Sequence, residues 1–304
     1  ALQENRDARA VYVTSPDYYG VLSDISGIAR VCHEYGVPLL VDNAHGTHLA
    51  LLGRHPLALG ADMTACSAHK TLPVLTGGAF LNIGETPLAK KFQFAERAKE
   101  AMALFGSTSP AYPVMVSLDL AREWEMKNGQ REWQRLAQRV EKMKDTAKKK
   151  GLLVPEGETD PTRLAVGTLP LGMTGQKAAD YFRSQGIESE HEDGAYVVCI
   201  TTPFHTPEEL ERLEKALQTL PGKPCLIAEN PALPPLPPMK KSPREAVLAF
   251  QERVPLLEAV GKIAGEAACP CPPGVPIVMP GEEITKECME FLNRYSLDEI
   301  SVLK

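Results

Sequence analysis

Between residues 11 and 84 one pattern recurs and constrains the chain more than any other feature: a short apolar run, a turn, a helical stretch, and another apolar run. VYVTSP at 11–16 reads as a short buried strand ended by Pro16. Asp24 then caps a helix whose Ile25, Ile28, Val31 and Cys32 fall on one face, and Gly36 stops it. VPLLVDNA at 37–44 is continuously apolar up to its aspartate, as in a strand covered on both faces. DMTACSA at 62–68 and GGAFLNIG at 77–84 are two further segments of this kind. Strands alternating with helical segments indicate an α/β fold built on a mostly parallel sheet.

From Val114 to Lys150 the pattern becomes one long, charged, helix-rich stretch that ends at Gly151. Residues 160–220 then read strand, helix, strand, strand, helix, a small α+β arrangement. Arg163–Leu169 is its first strand, and Thr174 caps the helix that runs through Arg183. Thr206, with Pro207 at the first helical position and Glu209 three residues after the cap, forms a capping box. Residues 221–243 are proline-rich and favour extended, semi-rigid chain. Ser242 and Glu245 form another capping box, expected to open a helix to about Ala268, and a last helix is expected near Thr285–Tyr295. The expected domains are 1–125, 126–222 and 223–304.

Two short motifs carry the chemistry. Asp42-Asn43-Ala44-His45-Gly46 closes one apolar strand, and Ser67-Ala68-His69-Lys70 closes another. In open α/β sheets ligands bind outside the carboxyl ends of the strands, so both motifs face one crevice. An acid, a lysine, a serine and two histidines there suit pyridoxal 5'-phosphate (PLP). That cofactor needs a lysine amine for its Schiff base, a carboxylate against its pyridine nitrogen, and short donors for its phosphate. Taken singly, each residue has a plainer reading. A strand-terminal aspartate is more often a turn former, a lone lysine is usually solvated, and His33 and His48 read as hydrogen-bonded turn residues.

Here the chain resembles a known family. VTSPDYYGVLSDI, VDNAHGTH, SAHKTLPVLTGGAFL and GSTSPAYPVMVSLDLAR look like consecutive blocks of the ornithine/lysine/arginine decarboxylases. DPTRLAVGT, GIESE and PPGVPIVMPGEEI are similar to that family's small and C-terminal domains. The resemblance implies an aspartate-aminotransferase-like fold of type I: a partial PLP-binding large domain, a small α+β domain, and a decarboxylase-type C-terminal domain after the proline-rich linker. It implies decarboxylation of arginine, lysine or ornithine to the amine and CO2, in polyamine biosynthesis, by a cytoplasmic homodimer or larger assembly with a shared active site. It also implies site residues. Lys70 is the Schiff-base lysine, Asp42 the pyridinium partner, and Ala44 packs on the ring. His45 lies near the phenolic oxygen, Ser67 and His69 hold the phosphate, and Thr108 within Ser107–Ser109 completes the neighbouring subunit's phosphate site. Two alternatives stay open: an aminotransferase or lyase of the same fold, and a catalytically inactive paralogue.

The chain departs from the family pattern in two places. Relatives carry a longer segment before the aspartate motif, with a phosphate-binding turn and a residue that stacks on the ring. Here only 41 residues precede Asp42 and the chain opens on Ala1, so the sequence reads as a fragment. Cys271 stands where the family carries a tyrosine in its Pro-Tyr-Pro-Pro-Gly run. Arg163 at a strand start reads more readily as a surface ion pair than as a carboxylate anchor. Glu190, Glu266 and Glu282 are acidic candidates for a basic substrate, each more commonly a solvated residue. A net charge of -6 argues against a nucleic-acid or anionic-membrane partner. No stretch approaches the roughly 20 apolar residues of a membrane span. The 7 cysteines read as reduced thiols, with no metal site expected.

Overall fold

The computed structural model describes residues 1–106, 108–223, 233–269, 275–295 and 297–304. The chain divides into two compact units, Ala1–Ile227 and Ala228–Lys304. The boundary expected at 125/126 falls inside the first unit.

That unit begins with β1 (Val11–Thr14), α1 (Ile25–Glu34), β2 (Leu39–Asp42), β3 (Met63–Cys66), the single turn α2 (Ala68–Thr71) and β4 (Phe80–Ile83). The strands lie in the order β1-β2-β3-β4. β1, β2 and β3 are parallel, with Asp42 opposite Ala65, and β4 is antiparallel to β3. Asp24 accepts the Gly27 N–H at 2.9 Å, as its capping role requires. Ile25, Ala29 and Cys32 of α1 pack against Leu39, Val41 and Ala61. Val31 is 43% exposed, because six residues on from Ile25 it stands about 240° round the helix.

The expectation that β2 is covered on both faces needs correction. Leu39 and Val41 are buried, but Leu40 and Asp42 are only half-buried. The same face carries Tyr12, which is 64% exposed, and the exposed Ala65 and Leu81. The helices of the described chain cover one side of this sheet, and strand alternation sends every second residue to the other.

Next come α3 (Pro87–Lys91), α4 (Phe94–Phe105), α5 (Tyr112–Trp124) and α6 (Gln130–Lys149). α5 continues into α6 through a π-helical turn, Glu125–Gly129, so the long helical stretch read from the sequence forms as one rod. No residue of α4 is buried. α6 buries Trp133, Leu136, Val140, Met143 and Ala147, one stripe at helical spacing. The stripe packs on a second sheet, ordered β5 (Arg163–Gly167), β7 (Tyr196–Ile200), β6 (His191–Glu192). α7 (Gly175–Ser184) and α8 (Pro207–Thr219) complete this core through Phe182, Leu213 and Leu217. Thr174 caps α7 and the Thr206–Glu209 capping box opens α8, both as the sequence indicates.

In the second unit the Ser242 capping box opens α9, but α9 is only Pro243–Leu248. The helix expected to reach Ala268 gives way to β8 (Gln251–Pro255), antiparallel to β9 (Glu299–Leu303). A cap specifies where a helix starts and not where it stops. Pro255 cannot sit in a helix interior, and pairing with β9 outweighs local propensity. α10 (Lys286–Asn293) forms where the last helix is expected. Val254, Ile284, Leu292, Ile300 and Val302 belong to this unit's own core. Cys271 and residues 224–232 of the proline-rich segment lie outside the described residues.

Candidate active site

β2 and β3 run parallel, so Asp42 and Cys66 end at the same edge of the sheet. The two motifs leave from there. Asp42 Oδ1 accepts the Ala44 N–H at 3.0 Å, which turns the chain sharply after the strand. Gly46 allows this fold-back, since a Cβ there would lie 2.0 Å from Asn43 Oδ1 and 2.8 Å from Pro16. After β3, Ser67 precedes the single turn that carries His69 and Lys70, and its hydroxyl makes no capping bond.

Lys70 Nζ lies 3.2 Å from His45 Nε2. The other ring nitrogen, His45 Nδ1, lies 3.3 Å from an Arg163 guanidinium nitrogen. The same guanidinium donates to the Tyr18 carbonyl at 3.0 Å, and the Tyr18 ring stands edge-on to His45 at 4.9 Å. Burial, then the positive charge of Arg163, pushes the His45 pKa down to about 3, so the ring is neutral at ordinary pH. His69 Nδ1 donates to the Gly78 carbonyl at 2.9 Å, leaving its Nε2 for another partner. Strand register puts Tyr12 and Asp42 on the same face of the sheet, and the Tyr12 hydroxyl is pushed up by burial and then by the Asp42 carboxylate.

The structure therefore gathers Asp42, Ala44, His45, Ser67, His69 and Lys70 at one sheet edge, with Lys70 and His45 in direct contact. Thr108 is exposed between α4 and α5, and among the described residues no hydrogen bond joins it to these side chains. Ser107 lies outside the described residues.

Arg163 corrects its sequence reading. It is 2% exposed and holds His45, where a surface ion pair was expected. His48 is likewise no plain turn residue. It is buried, stacks on Trp133 at 4.5 Å, and donates from Nε2 to Asp160 at 3.1 Å. Burial alone would raise the Asp160 pKa. His48 and then Arg163, with the Thr162 N–H, hold it well below the usual carboxylate range. Sequence reasoning missed Asp160, Tyr18 and Glu125. The available signal was a run of charged and hydroxyl residues, Asp160 to Arg163, leading into an otherwise apolar strand. His33 is hydrogen-bonded as expected, to Asp62 at 3.0 Å. Glu190 accepts the Tyr18 hydroxyl at 2.7 Å, whereas Glu266 and Glu282 belong to the second unit.

The family description "Orn/Lys/Arg decarboxylase, major domain" matches residues 1–163, more than half of the chain. The chain belongs to this family. Its C-terminal domain matches residues 229–298. An arginine decarboxylase of Bacillus subtilis is 32% identical across 96% of this chain, and one of Bacillus anthracis is 31% identical across 97%. The chain spans 62% of the length of each of these relatives. Among solved structures, the constitutive lysine decarboxylase of E. coli superposes with a TM-score of 0.73 at 17% identity, over 97% of this chain and 58% of that one. That likeness confirms the fold. Among the described residues, no helix is long and apolar enough to cross a membrane.

Proposed function

We propose that this chain carries the lysine side of a PLP site and serves in decarboxylating a basic amino acid (arginine, lysine or ornithine) to its amine and CO2. One observation carries the reading: Lys70 is held by a buried, neutral histidine at the edge where Asp42 also ends its strand. The donor set fits the cofactor. Lys70 supplies the amine for covalent attachment, Asp42 a half-buried carboxylate for the pyridine nitrogen, and Ala44 a small side chain beside the ring. His45 lies by the phenolic oxygen. Ser67 offers a hydroxyl to the phosphate, and His69, with Nδ1 committed to Gly78, has Nε2 left for the same group. Bound PLP supplies the sink for the electron pair left on Cα when CO2 departs. A proton then replaces the carboxylate. The protein's own part is to orient the amino acid and hold charge where the reaction needs it.

The same reading includes a homodimer in a cytoplasmic setting. Met102, Leu104, Phe105 and Tyr112 are 59%, 79%, 89% and 75% exposed around the segment that carries Thr108. A second copy covering this apolar face brings Thr108 to its neighbour's phosphate site. The arginine decarboxylases among the relatives do not favour an aminotransferase or a carbon–sulfur lyase.

The test is reduction of the PLP-treated chain with borohydride, followed by peptide mass spectrometry. The expected result is a phosphopyridoxyl adduct on Lys70, absent in Lys70→Ala, with CO2 released from one of the three amino acids. An adduct on another lysine, or an oxo acid in place of CO2, would overturn the proposal.

A further inference from the structure

A guanidinium has five N–H donors and no acceptor. Whatever nitrogen faces it must therefore offer a lone pair. Arg163 lies 3.3 Å from His45 Nδ1, so Nδ1 is the unprotonated nitrogen of that ring. A neutral imidazole carries one proton, and here it must sit on Nε2. That nitrogen faces Lys70 Nζ at 3.2 Å. The hydrogen bond between them consequently runs from His45 to Lys70, and it uses the lone pair of the lysine nitrogen. An ammonium group has no lone pair to offer, so the partner this geometry matches is the free amine.

We propose that Arg163 is a positioning residue for Lys70, acting through His45: it fixes the imidazole as the Nε2–H tautomer, so that a proton donor faces the lysine nitrogen, an arrangement that matches the free amine which condenses with an aldehyde. Several features support the device. Arg163 is anchored a second time, through the Tyr18 carbonyl at 3.0 Å, so its fork is not free to turn away. Tyr18 closes one side of the ring edge-on. Asp160 and Glu190 lie near enough to favour the buried guanidinium charge, which burial opposes. His45 is 7% exposed, so water does not compete for either nitrogen. The consequence for cofactor attachment rests on the reading of Lys70 given above. The tautomer itself does not.

The test is long-range proton–nitrogen correlation NMR on the histidine-labelled chain without PLP, at neutral pH. The 7 histidines are separated by subtracting the spectrum of His45→Gln. The expected spectrum shows His45 with a pyridine-type Nδ1 and a protonated, pyrrole-type Nε2. In Arg163→Met, which keeps the apolar stem and loses the donors, the Nδ1–H tautomer should become populated. PLP condensation should also slow about tenfold, the effect of one lost hydrogen bond. A wild-type His45 protonated on Nδ1, or on both nitrogens, overturns the proposal without reference to any variant. An Arg163→Met protein with the wild-type tautomer overturns the part assigned to Arg163. Failure of the chain to take up PLP would bear on the proposed function and leave the tautomer measurement intact.

Discussion

Replacing Asp160 by alanine offers a sharp test of how the interior behind the site is held. Its Oδ1 accepts from the Thr162 N–H at 2.8 Å, the Thr162 hydroxyl at 2.8 Å and His48 Nε2 at 3.1 Å. All three residues are 3% exposed or less. Truncation strands two donors, the Thr162 N–H and His48 Nε2–H, at about 1–3 kcal/mol each. The Thr162 hydroxyl, 3.0 Å from His48 Nε2, can turn to recover part of this. A net loss of about 2–4 kcal/mol is expected, the two stranded donors less what the hydroxyl recovers. Asp160→Asn keeps the acceptor oxygen and the volume, and should lose about 1–2 kcal/mol as the bonds cease to be charge-assisted. Urea unfolding followed by tryptophan fluorescence measures both, since Trp124 and Trp133 lie in the first unit. The native Asp160 pKa is depressed, so its contribution is present above the unfolded carboxylate value and is lost as pH falls through the native one. Asp160→Asn should lack that acid limb. An alanine variant within about 1 kcal/mol of wild type, at unchanged denaturant slope, would refute the reasoning.

Glu125 gives the opposite pH dependence. Burial pushes its pKa from 4.5 up to about 7, partly countered by the Trp133 N–H that it accepts. Its stabilising contribution is therefore complete below about pH 4.5 and lost as pH rises through about 7. Melting temperatures across that window should fall in wild type and flatten in Glu125→Gln; parallel curves would count against the assignment. If the proposed homodimer forms through the face around Thr108, Phe105→Glu removes one apolar anchor from each copy. The loss of about 1.5–3 kcal/mol is counted twice by two-fold symmetry. Sedimentation should then show the dimer weakened by on the order of a hundredfold or more. An unchanged sedimentation profile would place the interface elsewhere.

Much of this was legible in the sequence, for a local reason. The residues of the Lys70 edge lie within a few positions of two strand ends, and strand, turn and motif are all written contiguously. The rod from α5 to α6 shows in its apolar stripe, and both α8 and α9 announce their starts in their caps. Features set by distant partners were not legible. Arg163 meets His45 118 residues away, and His48 meets Asp160 at a separation of 112. No window along the chain contains both members of either pair. β8 was read as helix because its strand partner lies some fifty residues further on, and the Ser242 box speaks only for the first turn. The uncovered sheet face was hidden for a related reason. An apolar run reports that a strand prefers cover, and it does not say which segment supplies it.

The bond from Arg163 to His45 also sets an order of events during synthesis. At about 5–20 residues per second, the 118 residues between them take roughly 6–24 s to be added. Strand pairing and turn formation in the Asp42–Lys70 region need only microseconds to milliseconds once that region is clear of the ribosome. The nascent lysine edge thus exists for seconds with its histidine free to hold its proton on either nitrogen. On the tautomer proposed above, the site acquires a single protonation pattern only when the second sheet arrives.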